Sequence, residues 1–296
     1  MKGLHSINCA AEGKRMALVN YIEVLAYAKK HKITVGAFNA MNMETAQALI
    51  SAADKKKSPL ILQTYHAHVD YAGADYMQAI ADVASRHTDM KIAMGLDHGR
   101  SFEQAKLCCD NNYTGVMIDL ASENYDYNVE ETRKVVALAH ARGISVEAEL
   151  GTISDADRTI EEIASGYTDP IMAISFVKDT NIDCLAVSIG TAHGIYKYTP
   201  KINFELLGTL LQDVHCPIVV HGGSNTPDEN IEQMVKMGIA KLNVGTDFFN
   251  AYVDAVSKVL TEKGKNTDII EMMLAARNAV EEVALHKLDI LTKFRV

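Results

Sequence analysis

Residues 91–99 read KIAMGLDHG, a short apolar run that closes on an aspartate and a histidine. Its length and composition are typical of a buried strand that presents polar side chains where it ends. Two further apolar runs lead to a histidine, at His193 and at His221. Three imidazoles from three strand ends, with His98 as the first, can converge on one point, and such a set predicts a catalytic Zn²⁺ site with an open position.

Eight apolar runs predict the strands, and segments with helical periodicity separate them. The predicted strands are Ile33–Phe38, Leu60–Gln63, Lys91–Leu96, Gly115–Asp119, Ser145–Leu150, Leu185–Ile189, Ile218–Val220 and Lys241–Val244. Strand-plus-helix units of about 25–35 residues predict a single-domain α/β protein, a (β/α)8 or TIM barrel. A doubly wound open sheet is the alternative, and the barrel is preferred because eight regular units fill it without a remainder.

The two ends of the chain depart from this pattern. Residues 1–15 show no clear periodicity, which predicts an N-terminal extension or leader. The barrel domain is therefore expected over residues 16–296, with helices at its C-terminal end.

Composition restricts the class of protein. The 296 residues are 48% hydrophobic and 23% charged, as in ordinary globular domains, and the net charge of −9 argues against a nucleic-acid partner. No run approaches the roughly 18 apolar residues of a membrane span, and no apolar signal-peptide core is visible. Five cysteines without a CxxC pair indicate reduced thiols, which predicts a cytoplasmic protein.

Polar residues close the predicted strands with unusual regularity, and a barrel gathers its chemistry at that end. Asp119 and Glu149 are carboxylates that could lie near the metal or hold a second one. Any single such residue could instead be a solvated rim or a helix cap, and a lone histidine is more often a hydrogen-bonded core residue than a ligand. The grouping of three histidines favours a metal.

The loops after the last strands are rich in glycine and hydroxyl side chains, and in barrels these loops commonly bind phosphate. Each glycine alone is more simply explained by a tight turn, but their clustering predicts a phosphate site. The predicted phosphate-binding residues are Gly194, Lys197, Gly222, Gly223, Ser224, Asn243, Val244, Gly245 and Thr246. Together with a carbonyl-polarising metal and Asp97 as proton carrier, they describe an aldol or enolisation site.

The chain also resembles a known family, the class II zinc-dependent ketose-bisphosphate aldolases, and among them most closely the tagatose-bisphosphate aldolases. The resemblance runs in order from about residue 16 to 287. The matching stretches are Ala37-Phe38-Asn39, Ser58-Pro59, Leu96-Asp97-His98, Met117-Ile118-Asp119, Ser145–Gly151, Tyr167–Pro170, Ile189–Gly194, His221–Ser224 and Lys241–Thr246.

This resemblance implies roles for the matching residues. His98, His193 and His221 match the zinc ligands, and Asp97 matches the acid/base residue. Most of the predicted phosphate-binding residues match contacts to dihydroxyacetone phosphate, and Glu149 matches a carboxylate near the metal. The resemblance implies an enzyme that reversibly cleaves a sugar phosphate into dihydroxyacetone phosphate and an aldehyde. It also implies a homo-oligomer. The implied cofactor is Zn²⁺, and a monovalent cation is a candidate second cofactor.

Several positions depart from the family pattern, and they concern the aldehyde side, to which Asn39, Tyr65 and Arg100 are assigned. Tyr65 replaces a small Ser or Thr, Arg100 follows the Asp-His-Gly motif, and Leu274 replaces a phosphate-binding arginine. The other departures are Leu120-Ala121 and the loop 154–157. We therefore expect an aldehyde other than a simple phosphorylated triose. Arg100 could bind a carboxylate, a sulfonate or another anion, or could simply be a solvated residue where a helix begins.

Two other functions remain compatible with the sequence. A metal-dependent hydrolase on the same barrel would use the ion to activate water, but no second cluster of metal carboxylates is visible. A degraded aldolase could bind a sugar phosphate without turning it over, although Asp97 and the three histidines are intact.

Overall fold

The computed structural model describes residues 18–153, 155–196 and 199–296. Eight parallel strands form a closed barrel in which each strand pairs with its neighbours in sequence and the last pairs with the first. The strands are β1 (Val35–Asn39), β2 (Leu60–Tyr65), β3 (Ile92–Gly99), β4 (Gly115–Ile118), β5 (Ser145–Leu150), β6 (Cys184–Val187), β7 (Ile218–Val220) and β8 (Lys241–Val244). The predicted barrel is confirmed, and the open sheet is wrong.

Twelve α-helices in the described residues surround or extend the barrel. They are α1 (Tyr21–Lys30), α2 (Met43–Lys56), α3 (His66–Ala72), α4 (Ala74–Ser85), α5 (Phe102–Asp110), α6 (Tyr125–His140), α7 (Ile160–Ala164), α8 (Pro170–Thr180), α9 (Phe204–Asp213), α10 (Asp228–Met237), α11 (Thr246–Lys263) and α12 (Ile269–Leu291). The predicted extension 1–15 lies outside the described residues.

The predicted strand limits agree with the observed ones where the apolar run and the backbone pairing end at the same residue. The predicted limits of β5, β7 and β8 match the observed ones. By contrast, β2 continues to Tyr65 and β3 continues to Gly99, two and three residues past the predicted ends. The apolar pattern stops at the first polar side chain, whereas the backbone pairing continues because the polar residues point into a site.

The N-terminal end of the barrel is closed by a tyrosine. Tyr21, at the start of α1, is 1% exposed and packs with the inward-facing residues of the strands. A Cβ atom on Gly95 would lie 1.7 Å from its hydroxyl oxygen, and one on Gly115 would lie 2.3 Å from its ring. Only glycine leaves room for this ring, so Gly95 and Gly115 allow Tyr21 to fill this end of the barrel.

Candidate active site

A cavity of about 450 Å³ lies at the carboxyl ends of the strands. It brings together residues that are far apart in sequence but that the strand-end pattern had grouped. The predicted site residues that line it are Asn39, Tyr65, Asp97, His98, Arg100, Asp119, His193, Gly194, His221, Gly222, Ser224, Asn243, Gly245 and Thr246. His66, Ile153, Asp155 and Phe249 also line it. Lys197 lies outside the described residues.

Adjacent residues on a strand normally point to opposite faces, yet Asp97 and His98 both line the cavity. The pairing of β3 with β4 shifts register between Leu96 and Gly99, and His98 has a left-handed backbone with φ of +50°. This bulge turns His98 inward beside Asp97. A regular strand would have buried one of the two side chains against the outer helices.

The three histidines meet at one point. One ring nitrogen of each lies within 4.8 Å of the others, and His98 Nε2 is 2.8 Å from His221 Nδ1. The Nε2 atom of His193 is buried and has no hydrogen-bond partner among the described residues. Buried polar atoms are almost always satisfied, so an unpartnered nitrogen aimed at two others fits a metal ligand set. Three imidazoles suit zinc among other transition metals.

Carboxylates orient two of these rings from behind. His98 Nδ1 lies 2.6 Å from Asp119 Oδ2, and His221 Nε2 lies 2.8 Å from Glu147 Oε1. Each carboxylate fixes the ring orientation and the tautomer, which leaves the opposite nitrogen with its lone pair toward the centre. Asp119 therefore lies beside a predicted ligand. Glu149 Oε2 is buried without a hydrogen-bond partner, 3.9 Å from His98 Nδ1.

Glu147 belongs to a buried charge pair that the sequence analysis missed. The ammonium of Lys241 lies 2.8 Å from its Oε2 atom, and both side chains are buried inside the barrel. Lys241 also donates to Asn243 Oδ1 at 2.6 Å, which ties the pair to the site above. The available signal was a charged residue in each of two buried strands, Glu147 inside β5 and Lys241 at the start of β8.

Two amides hold Asp97. Asn39 Nδ2 donates to Oδ2 at 2.8 Å, and Asn243 Nδ2 donates to Oδ1 at 2.9 Å. Burial alone would raise the pKa of Asp97, but nearby His98, His221 and Lys241 and the Asn39 hydrogen bond lower it below its usual value. The carboxylate is therefore ionised and fixed in orientation, as a proton carrier requires.

The electrostatics keep two of the imidazoles neutral in the metal-free protein. Burial, followed by the charge of His98, lowers the pKa of His193 to about 4, and the same two causes lower that of His221. His98 differs: burial opposes its charge, but Asp97, Asp119 and Glu149 raise its pKa to about 9. One proton therefore occupies the centre of the site when no metal does.

The loops after β6, β7 and β8 form the opposite wall. Gly194 and Gly222 adopt positive φ, which directs their backbone around the cavity. Ser224 Oγ accepts hydrogen bonds from the amides of Gly245 and Asp247, and α11 begins at Thr246 without a side-chain cap. A helix start of this kind attracts anions.

Two predicted phosphate-binding residues lie away from the cavity lining. The Gly223 amide donates to the Asn243 carbonyl, and the Val244 side chain packs in the core between barrel and helices.

Aromatic side chains form the wall near β2. The Tyr65 ring stacks at a tilt on His66, with 4.1 Å between centroids, and its edge faces His98. His68 makes an edge contact with Phe249. Arg100 lines the cavity between this wall and β3. Leu274 lies half-buried in α12 and does not line the cavity.

Comparison with known proteins defines the class to which this fold and site belong. The family model described as class-II fructose-bisphosphate aldolase matches residues 19–294. The chain belongs to that family. It is an aldehyde-lyase of carbohydrate metabolism that catalyses a reversible aldol cleavage. No helix in the described part of the chain is long and apolar enough to span a membrane.

Individual relatives are similar over nearly their whole length. The chain is 36% identical over 277 residues to fructose-bisphosphate aldolase of Geobacillus stearothermophilus, covering 92% of this chain and 96% of that one. It is 34% identical to the fructose-bisphosphate aldolase of Giardia intestinalis, covering 92% of each. Among solved structures, the YdjI aldolase of Escherichia coli K12 superposes with a TM-score of 0.82 at 29% identity, covering 93% and 97%.

Proposed function

We propose that this aldolase depends on zinc, held by His98, His193 and His221, and that it cleaves a ketose phosphate into dihydroxyacetone phosphate and an aldehyde other than a simple phosphorylated triose. The observation that carries the proposal is the convergence of three imidazoles, those of buried His98 and His221 and half-buried His193, beside an ionised aspartate held by two amides. A bound Zn²⁺ would polarise the ketose carbonyl as a Lewis acid and so favour the enediolate of the donor half.

Asp97 is the proton carrier in this proposal. It is buried, negatively charged and fixed by Asn39 and Asn243, so it can accept the proton of the hydroxyl group next to the bond that breaks. In the reverse direction it returns that proton to the aldehyde oxygen. The electron pair of the broken carbon–carbon bond stays on the donor half as its enediolate, which is then protonated.

The donor phosphate would bind at the wall built by the last three βα loops. Gly194, Gly222 and Ser224 offer backbone and hydroxyl groups there, and the start of α11 at Thr246, where Ser224 accepts from the Asp247 amide, adds a partial positive charge. We include Lys197 and a monovalent cation in this part of the proposal as additional positive charge.

The aldehyde half is assigned to the wall formed by Tyr65, His66 and Arg100. The aromatic ring of Tyr65 replaces a small hydroxyl residue of the family and narrows the space for a second phosphate. Asn39 also lines the cavity and stays part of this side of the proposal, and its amide nitrogen donates to Asp97.

The decisive experiment is exchange of the C3 protons of dihydroxyacetone phosphate with heavy water, followed by NMR. It tests the donor half without requiring the aldehyde. We expect exchange by the zinc-loaded protein, loss of exchange with a chelator, and a loss of at least about a hundredfold in Asp97→Ala. Asp213→Ala, outside the cavity, should exchange at the wild-type rate.

Absence of exchange by the zinc-loaded protein would refute the proposal. A sugar-phosphate binding protein or a metal-dependent hydrolase would then be the better account. Bound zinc without turnover would favour the former.

Two properties of the whole protein complete the proposal. We place it in the cytoplasm, since the four described cysteines are unpaired. We also propose a homo-oligomer, because the C-terminal helices α11 and α12 expose apolar side chains.

A further inference from the structure

We propose that the aldehyde carries one acid group with a single negative charge, a carboxylate or a sulfonate, and that Arg100 and His66 bind this group. The inference rests on the proposed function and specifies its second substrate. It starts from the polar groups on the β2–β3 side of the cavity that no described residue satisfies.

Arg100 is the only lysine or arginine among the described residues that line the cavity. Its backbone amide donates to Gln104 at 3.1 Å, but no described residue pairs with its guanidinium group. A guanidinium presents a planar fork of donors that matches the two oxygens of a carboxylate. The cation is therefore available to a ligand in the cavity.

His66 provides the second observation. It is 7% exposed, it lines the cavity, and its Nε2 atom is buried without a hydrogen-bond partner. Burial, followed by the charge of Arg100, lowers the pKa of His66, so the ring is neutral. A buried unpartnered nitrogen costs free energy, and a ligand oxygen or hydroxyl group that pairs with it would recover that cost.

Gln104 joins the backbone segments that carry these two groups. Its side-chain oxygen accepts from the Arg100 amide, and its side-chain nitrogen donates to the His66 carbonyl at 3.1 Å and to Asp70 at 3.0 Å. One side chain thus joins the corner after β3 to the corner after β2. The two backbones are therefore held together before any ligand arrives, while the Arg100 side chain itself is exposed.

The charges beside Arg100 favour a monoanion over a phosphate. One permanent cation beside a neutral imidazole balances one negative charge. A phosphate group carries up to two charges and three acceptor oxygens, and sites for it usually collect several donors or cations. A neutral aldehyde would leave the guanidinium group unused.

The test compares four aldehydes of one length as acceptors for dihydroxyacetone phosphate. They are a neutral tetrose and its analogues ending in a carboxylate, a sulfonate or a phosphate. We expect kcat/KM for the carboxylate or the sulfonate to exceed that for the neutral and phosphorylated acceptors by about tenfold or more. Whichever of the two acids is better identifies a sugar acid or a sulfonated sugar as the source.

Variants locate the effect. Arg100→Gln should bring the ratio of kcat/KM between acidic and neutral acceptors to within about threefold of one, and Arg100→Lys should retain part of it, since lysine keeps the charge without the fork. Arg86→Gln, at an exposed arginine that follows the C-terminal end of α4 and does not line the cavity, should leave all rates unchanged.

A phosphorylated or neutral acceptor that proves best, or a ratio that Arg100→Gln does not alter, would overturn the inference. The C3 proton exchange separates the two failures. If the protein exchanges the proton but ignores the acid group, only this inference is wrong; if it does not exchange, the proposed function fails as well.

Discussion

At the scale of single residues, Glu147 and Lys241 form a buried charge pair. Neither residue lines the cavity, but both contact residues that do. Glu147 contacts His221 on one side and Lys241 on the other, so its charge is compensated while its oxygen orients the ring. Removing one member of such a pair leaves an uncompensated buried charge, which is strongly destabilising.

Glu147→Gln should weaken zinc binding because the neutral amide orients His221 less firmly. Outer residues of this kind typically contribute about 10–100-fold in metal affinity, and we expect a loss in that range. Competition with a chromogenic chelator measures the dissociation constant directly. Glu130→Gln, on the exposed face of α6, is the matched control. Unchanged affinity in Glu147→Gln would show that His221 is held by its surroundings alone.

The sequence predicted the ligands and the proton carrier more readily than their supports. His98 and His221 stand at strand ends and His193 lies in the loop after β6, and each precedes a glycine, a pattern visible in a single chain. The supports depend on contacts across long separations, such as the 94 residues between Glu147 and Lys241, and on the exact pairing of strands. No local pattern records which two charged residues will face each other inside a barrel.

At the scale of elements, β3 shows what periodicity cannot reveal. The alternation rule would send Asp97 and His98 to opposite faces, and only the register shift with the left-handed backbone of His98 brings both inward. No glycine marks the bulge at position 98, so the sequence gives no hint of positive φ there. The end of β3 was therefore predicted three residues early.

The exposed apolar side chains of α11 and α12 predict that the protein assembles into an oligomer. The 18-residue α11, about 27 Å long, buries a single residue, Phe248, while Val253 and Leu260 are exposed one above the other. Ile269 and Ile270 at the start of α12 are also exposed. An unburied apolar face of this length is typical of a subunit interface.

We expect Val253→Asp combined with Leu260→Asp to dissociate the oligomer, because two charges would have to be buried at the interface. Sedimentation or light scattering measures the mass of the particle. Val83→Asp, another exposed valine on α4, should leave the mass unchanged. A wild-type protein that is monomeric at micromolar concentration would contradict the prediction.

At the scale of the whole molecule, the barrel was predictable because eight alternating units have few ways to close. The helical and strand periods alone set the order of elements, and a right-handed crossover between parallel strands fixes the sense of winding. What the sequence did not show was how the interior is filled. That depends on Tyr21 meeting Gly95 and Gly115, residues that are distant in the chain.

The free energy of unfolding of the metal-stripped protein should decrease, so that the protein becomes less stable, as pH rises from about 6.5 to about 9. Burial opposes protonation of His98, but Asp97, Asp119 and Glu149 raise its pKa from 6.5 to about 9. The folded state binds this proton more tightly, so the stability is fully present below the unfolded value and is lost as pH passes through the folded value. Glu149, with a pKa raised by burial and by Asp119, acts in the same direction.

Urea unfolding of chelator-treated protein across this pH range tests the sign. Asp119→Asn should flatten the dependence, because it removes a carboxylate that favours the protonated ring. Asp228→Asn, at an exposed pair with His286, should leave it intact. Stability that rises over this interval would mean that His98 is not protonated in the folded, metal-free state.

The tyrosine beneath the barrel has a kinetic consequence. Because Tyr21 fills the N-terminal end of the barrel, we expect substrates and products to enter and leave the cavity by one opening. That opening lies at the carboxyl ends of the strands, beside Arg100. If dihydroxyacetone phosphate binds where we propose, against buried Ser224 and Asn243, it lies deeper than an aldehyde beside exposed Arg100. We therefore expect an ordered reaction: in cleavage the aldehyde leaves before the donor, and in synthesis the donor binds first.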